Sequence, residues 1–160
     1  MRKETKAVPI LPACLLVAGR PCLVVGGGEV AARKVGHLLD AGAAVTLVAT
    51  AVIAPLRTLS RAGRIRVVVR PFSESDVKGE YLVFATTDKK SVNRRVLTAC
   101  RRHGVLCSAS DGNWKDGDFV IPAITRTKNF VVTVSTGGRS CRQAMLVKER
   151  IARMLADMTD

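Results

Sequence analysis

Short apolar runs alternate along this chain with stretches in which apolar residues recur at helical spacing. Cys22 to Val25 is continuously apolar, which predicts a strand buried on both faces. Three glycines, Gly26, Gly27 and Gly28, follow at once, and a helix pattern begins behind them. Ala31, Val35, Leu38, Leu39 and Gly42 mark its apolar side, with Arg33, His37 and Asp40 opposite. Ala41-Gly42-Ala43 ends it, glycine being the expected terminator. Val45 to Ala49 predicts a second strand, and Ile53 to Arg61 a helix closed by Gly63. Ile65 to Val69 predicts a third strand, and Pro71-Phe72 opens a connector holding Glu74 and Asp76. Tyr81 to Ala85 is a fourth strand. A helix over Ser91 to His103, with Val92, Val96, Leu97 and Cys100 on one side, runs to Gly104. Val105 to Ser108 is a fifth strand. Strands and helices joined by short loops predict an α/β fold, a doubly wound Rossmann-type parallel sheet. Ligands of such sheets bind outside the carboxyl ends of the strands.

From Asn113 the rhythm changes. Phe119 to Ile124 and Phe130 to Val134 read as two strands around Arg126-Thr127-Lys128-Asn129, a spacing that permits a hairpin. Ser135-Thr136-Gly137-Gly138 then leads into a last helix from Ser140 to Met154, carrying Met145, Leu146, Ile151 and Leu155. The expected division is a nucleotide-binding domain over 1–112 and a short hairpin-helix segment over 113–160. Val8 to Val17 is expected to be an arm before the first strand. Met1-Arg2-Lys3 ahead of it imitates a secretory signal. Pro9 and Pro12 interrupt the apolar stretch, however, and cleavage near Ala18 would cut directly before the first strand, so no signal peptide is expected. Arg20 and the glycines break the one candidate bilayer span, so no membrane partner is expected.

The glycine turn carries the first chemistry. Gly26-x-Gly28-x-x-Ala31 between a strand and a helix fits the dinucleotide fingerprint, with alanine in the third place. Gly26 would allow the sharp turn, Gly28 the approach of backbone to a pyrophosphate, and Ala31 close packing of helix on sheet. The first helical N–H groups, at Glu29 and Val30, would face the phosphates. Thr50 and Ala51 after the second strand, and Thr86, Thr87 and Asp88 after the fourth, fall on the same sheet edge and complete the expected cofactor set. Many NAD sites place an Asp or Glu after the second strand; here Val48-Ala49-Thr50-Ala51 has none. Arg57, inside the second helix, is the nearest cation that could favour a 2′-phosphate.

Composition narrows the partner. A net charge of +13 on 160 residues calls for a polyanion. The basic residues cluster in three stretches free of acids: Arg57 to Arg70, Lys89 to Arg102, and Arg126 to Lys148. With one Trp, one Tyr and no nucleic-acid motif, the chain offers no stacking platform, so a polyanionic metabolite ranks above nucleic acid. Cys14, Cys22, Cys100, Cys107 and Cys141 form no C-x-x-C pair and read as reduced, buried thiols of a cytoplasmic protein. His37 and His103 lack ligand-spaced partners, so no resident metal is expected.

A further set of motifs spans almost the whole chain. It comprises Leu15-x-x-x-Gly19-Arg20-x-Cys22-Leu23-Val24-Val25-Gly26-Gly27-Gly28-x-Val30-Ala31-x-Arg33-Lys34 and Leu39-x-Ala41-Gly42-Ala43-x-Val45-Thr46. Ala85-Thr86-Thr87-Asp88-x-x-x-Val92-Asn93, Phe119-x-Ile121-Pro122-Ala123 and Val132-x-Val134-Ser135-Thr136-Gly137-Gly138-x-Ser140 follow in order. Together they resemble precorrin-2 dehydrogenase, the N-terminal module of siroheme synthase. The resemblance implies oxidation of precorrin-2 to sirohydrochlorin with NAD as hydride acceptor, and in some members insertion of ferrous iron at the same site. The tetrapyrrole carries several carboxylates, which gives the basic surface a reason. The family's key acid follows the fifth strand, where this chain has Asp111; Asp116 and Asp118 lie close by. Members often carry Asn-x-x-Asp there, and this chain has Ser108 in place of the Asn. The resemblance further assigns Asn93, Thr136, Gly137, Gly138, Arg139 and Ser140 to the substrate, with Thr136 where a Ser is common. It implies a homodimer. Members usually continue into a further helical segment, so dimerisation here is expected through the hairpin and last helix, or else work with another polypeptide. Two other readings fit the same residues: a nucleotide-sensing Rossmann module without turnover, and a chelatase alone.

Overall fold

The computed structural model describes residues 8–110 and 114–157. They form two units, one of residues 15–120 and one of 8–14 with 121–157.

In the first unit, β1 (Pro21–Val25), β2 (Ala44–Ala49), β3 (Arg66–Val69), β4 (Leu82–Ala85) and β5 (Leu106–Ala109) build one sheet in the order β3-β2-β1-β4-β5. Every pairing is parallel, with Val25 beside Val48 on one flank and Ala85 on the other. The chain leaves β1 for β2 on one side and returns to β4 on the other, so the crevice between β1 and β4 is the switch point of the sheet. Between the strands run α1 (Glu29–Asp40), α2 (Ala54–Arg61) and α3 (Lys90–His103), with a 3₁₀ turn at Glu74–Val77 joining β3 to β4. The doubly wound parallel sheet expected from the sequence is the fold.

Period-two alternation explains why the strands read as solid apolar runs. Leu23, Val25, Val48, Val83, Ala85, Cys107 and Ala109 face Phe72 and Val77 of the connector and Val96, Leu97, Ala99 and Cys100 of α3. The intervening Cys22, Val24, Leu47 and Phe84 are buried as well, and so are Ala31, Val35 and Leu38 of α1, which packs on β1 and β2. Burial of each such Val, Leu or Phe stabilises the fold by about 1.5–3 kcal/mol. Among the cysteines, Cys22, Cys100 and Cys107 are buried, whereas Cys14 and Cys141 are exposed, contrary to the expectation for all five. Burial and Glu80 push the Cys22 thiol up to about 11. Cys107 is raised by the neighbouring Cys100 thiol and by burial, so Cys22 and Cys107 stay protonated and unreactive.

The second unit holds the antiparallel hairpin β6 (Ala123–Arg126) and β7 (Val131–Val134), with α4 (Cys141–Asp157) packed on it. The first arm starts at Ala123 rather than at Phe119. Residues 114–120 remain with the sheet domain instead, which sets the division eight residues beyond the change of pattern at residue 112. Asp118 causes this: its N–H bonds to Cys107 O at 2.8 Å, and its Oδ2 accepts the Cys107 N–H at 2.9 Å, closing the open edge of β5. Phe119 then meets Phe84 edge-on, 5.3 Å between ring centroids. Pro122, without an N–H, precedes the strand.

The β3–β4 connector contains two carboxylates in opposite conditions. Arg70 grips Asp76 bidentately, with Nη1 2.8 Å from Oδ2, and this bond holds the Asp76 carboxyl below its ordinary range. Glu80 is pushed up by burial and then by Asp76, and its Oε2 is buried without a partner among the described residues. Because folding tightens the Glu80 proton, its contribution is favourable below the unfolded value and is lost as pH rises through the raised one. Glu80→Gln should therefore stabilise the fold at neutral pH, by less than about 1 kcal/mol after solvent screening, and raise the melting temperature accordingly. The difference should vanish towards about pH 4. Melts of both proteins across that range check it; a destabilised variant at neutral pH would contradict the assignment.

Candidate functional site

Three loops leave the carboxyl ends of β1, β2 and β4, and backbone bonds lock them together. Gly26 N–H donates to Val48 O at 2.9 Å, Ile53 N–H to Gly27 O at 2.9 Å, and Thr86 N–H to Val25 O at 2.9 Å. Thr86 Oγ1 donates to Val25 O as well, at 2.8 Å. Gly26 has φ +126°, and a Cβ on it would lie 2.6 Å from Thr86 Oγ1. A Cβ on Gly27 would lie 2.0 Å from Ala51 O. These two glycines are required by the protein itself, because neighbouring loops fill the space a side chain would occupy.

Gly28 is different. A Cβ there would meet nothing within 4 Å, and the residue is exposed. It is the N-cap of α1, its carbonyl accepting Ala32 N–H at 3.0 Å, and no side chain caps the helix. The end of α1 thus presents backbone amides and the positive end of its dipole to a space kept clear of protein. Such a cradle, which a Cβ at Gly28 would fill, fits a dinucleotide pyrophosphate. Glu29 is exposed in the first turn and Val30 half-buried.

On the β2 side Thr50 and Ala51 are exposed, and the Ala51 carbonyl is pressed against Gly27. On the β4 side Thr86 and Thr87 are half-buried and Asp88 exposed. The hydroxyl of Thr86 is engaged by β1, so it braces the crevice rather than pointing into it. Asn93, expected at the substrate, is placed against this loop. Its carboxamide is 1% exposed and clamps Thr87: Nδ2 donates to Thr87 O at 2.9 Å, and Oδ1 accepts Thr87 N–H at 3.1 Å. The Thr87 hydroxyl lies 2.7 Å from the same Oδ1. These bonds make Asn93 a brace for the Thr86–Asp88 loop.

At the end of β5, Ser110 N–H donates to Ala85 O at 2.9 Å, while its Oγ is buried without a partner among the described residues. An orphaned hydroxyl at a ligand-binding edge is a group a ligand would satisfy, and the sequence did not single it out. Its signal was its position, one residue past the strand. Lys34 is half-buried on α1 with Nζ 5.7 Å from the Phe84 centroid, and burial, then Arg33, pushes its amine below the ordinary value. Asp111 lies outside the described residues. Its two neighbours are placed: Asp118 serves the β5 backbone, and Asp116 accepts Arg101 through its carbonyl at 2.7 Å. Asp118 is thereby occupied as a structural group.

In the second unit, the turn at Gly137 and Gly138 has φ +60° and +80°. Thr136 Oγ1 accepts Ser140 N–H at 2.9 Å, and Ser140 Oγ accepts Gln143 N–H at 3.2 Å, so both hydroxyls organise the start of α4. Arg139 is exposed, its Nε donating to Thr136 O at 3.2 Å. Among the described residues no three His, Cys, Asp or Glu side chains gather in a way that could hold a metal ion. Nor is any helix among them long and apolar enough to cross a membrane.

Comparison with known proteins agrees with this geometry. Residues 13–123 match the family described as "Putative NAD(P)-binding". The siroheme synthase of Methylococcus capsulatus is 42% identical over 162 residues, covering 94% of this chain and 34% of that protein. The siroheme synthase of Escherichia coli is 38% identical over 145 residues, covering 91% of this chain and 32% of that protein. The chain therefore spans about a third of the length of these curated relatives. Among solved structures, SirC, precorrin-2 dehydrogenase, is similar with a TM-score of 0.77 at 28% identity, covering 91% of this chain and 70% of that one.

Proposed function

The chain belongs to the NAD(P)-binding family whose model matches residues 13–123, and from that premise we propose that it oxidises precorrin-2 to sirohydrochlorin with NAD as hydride acceptor. The observation that carries the reading is the likeness to SirC, which extends over 91% of the chain and so reaches beyond the sheet domain. The siroheme synthase relatives support the same substrate.

Gly26, Gly27 and Gly28, with the amides of Glu29 and Val30, would hold the pyrophosphate. Thr50 and Ala51 would flank the adenosine ribose, and Thr86, Thr87 and Asp88 the far side of the crevice. The nicotinamide supplies hydride acceptance. The chain's own task is to orient the macrocycle and take a proton, which we assign to the Asp111 carboxylate. The substrate's carboxylates are assigned to Arg139 and the Thr136–Ser140 turn, with Thr136 and Ser140 acting through the shape of the turn. If ferrous iron is also a substrate, the same Asp111 carboxylate would receive pyrrole protons as it enters. We read the working form as a homodimer. Phe130, Val131 and Met154, all at least half exposed on the second unit, would need cover. A cytoplasmic setting suits five cysteines that are all free.

Incubation of the purified chain with precorrin-2 and NAD should yield NADH and sirohydrochlorin in equal amounts. Asp111→Ala should lower turnover about a hundredfold or more, the range of a lost acid–base group. Coenzyme binding without NADH formation would leave a sensing module. Iron insertion without NAD would leave a chelatase.

A further inference from the structure

Arg70 and Arg102 each face an acid, Asp76 and Glu74. Lys34 has none. It is half-buried on α1, and among the described residues it makes no hydrogen bond and no ion pair. Taking an ammonium out of water without an anion costs stability. The Phe84 ring offsets little of that cost, because 5.7 Å is close to the outer limit of about 6 Å for a cation–π contact. Desolvation and the nearby Arg33 both disfavour the charged amine, and an arriving carboxylate would offset both.

The place of this amine is set by the sheet. Phe84 is the next-to-last residue of β4 and pairs in register with Ser108, the next-to-last of β5. Ala85 and Ala109 face α3, so alternation turns Phe84 and Ser108 to the opposite face, where Lys34 lies. The ladder runs one residue further, through the bond from Ser110 N–H to Ala85 O at 2.9 Å. Ser110 therefore returns to the face of Ser108, and its buried Oγ has no partner. Phe119, edge-on to Phe84, supplies apolar cover beside them. A cation without an anion and a hydroxyl without a partner thus share one face at the carboxyl ends of β4 and β5. That edge is where ligands of such sheets bind.

We propose that Lys34 and Ser110 hold one carboxylate arm of the tetrapyrrole, an anchor on the sheet domain in addition to the Thr136–Ser140 turn. The proposal rests on the precorrin-2 reading. An ammonium has three donors and no acceptor, and a hydroxyl adds a fourth donor, so the group they can share is an acceptor. A carboxylate fits, with the two aromatic rings beside the methylene groups that carry it. Bonds of this kind strengthen where water is excluded. The phosphates of the coenzyme are not the occupant. Lys34 stands five residues behind Glu29, roughly 7.5 Å along α1 from the amides at its start. It reaches towards β4, across the crevice from the adenosine side at Thr50 and Ala51.

The competing role for Lys34 is a structural lid on Phe84, and it makes a different prediction. Its loss would then lower the melting temperature and weaken NADH and tetrapyrrole together. Titration of the full chain with sirohydrochlorin and with NADH, each followed by its own fluorescence, separates the two. Lys34→Met keeps the apolar stem, and should weaken sirohydrochlorin and raise the precorrin-2 KM about tenfold to a hundredfold, as for a lost charge-assisted bond. NADH affinity should stay at the parental value, and Lys34→Arg should recover most of the loss. Added salt should weaken sirohydrochlorin more in the parent than in Lys34→Met. Ser110→Ala should weaken sirohydrochlorin about twofold to tenfold with a melting temperature at or above the parent's, since it removes a buried hydroxyl that lacks a partner. It carries the test if Lys34→Met unfolds. Parental sirohydrochlorin affinity in either variant overturns the proposal, as does an equal loss of NADH. A parent that binds sirohydrochlorin but forms no NADH from precorrin-2 sinks the dehydrogenase reading alone, and the variants still decide the anchor. A parent that binds no tetrapyrrole overturns both.

Discussion

Gly28→Val should abolish NADH binding while leaving the melting temperature within a few degrees of the parent, and Gly27→Ala should lose both. The two residues are adjacent and equally small, so the contrast tests what each glycine is for. At Gly28 the backbone is extended, φ −96° and ψ −167°, and a Cβ would meet no protein atom within 4 Å. A valine there is sterically free in the empty chain. Its methyl groups would stand over the amides of the first turn of α1, in the space a pyrophosphate needs, and should weaken NADH at least a hundredfold. At Gly27 the added methyl would lie 2.0 Å from Ala51 O and 3.0 Å from Ala49 Cβ. Relief requires the β2 loop to move, which breaks the Ile53–Gly27 bond and drags Gly26 off Val48. Overpacking of this kind costs about 1–3 kcal/mol or more, and about 3 kcal/mol lowers the melting temperature of a chain this size by roughly 6–12 °C. Thermal melts and NADH titration on the two variants read both effects. Normal NADH affinity in Gly28→Val would show that the end of α1 is not the phosphate site.

That contrast also marks how far the residues could be read. The strand–glycine–helix order and the continuous apolar runs gave the sheet, because a strand covered on both faces leaves no polar alternation to misread. Which glycine serves the protein and which the ligand depends on where Ala51 O and Thr86 Oγ1 lie, contacts from loops 24 and 60 residues away along the chain. The first hairpin arm was misplaced for a related reason. Phe119-Val120 has strand composition, but Asp118 bonds both backbone groups of Cys107 and Phe119 packs on Phe84, so tertiary contacts hold these residues on the sheet domain. Ser110 escaped notice because an unpartnered hydroxyl is visible only after its surroundings are built. The hydroxyls of Thr136 and Ser140, expected at the substrate, also organise the start of α4, which spacing alone could equally have suggested.

Asn93 gives the second large effect, and it separates a positioning residue from a contact residue. Asn93→Leu should destabilise the chain by about 2–4 kcal/mol, because the Thr87 N–H and C=O lose their partners in a buried place. Leucine opens no cavity, so the loss reads the unpaired backbone groups together with some overpacking. Asn93→Asp keeps an acceptor for the Thr87 N–H but exchanges the donor to Thr87 O for a buried charge. It should fold better in acid, where the carboxyl is neutral, than at neutral pH. Both variants loosen the loop that carries Thr87 and Asp88, so NADH affinity should fall alongside stability, and a residue that merely touched the tetrapyrrole could not produce that. Were Asn93 a substrate contact, its substitution would raise KM and leave the melt unchanged. Denaturant titration and NADH binding on Asn93→Leu distinguish the two, and parental stability would show that the Thr87 clamp is not what holds the β4 edge of the crevice in place.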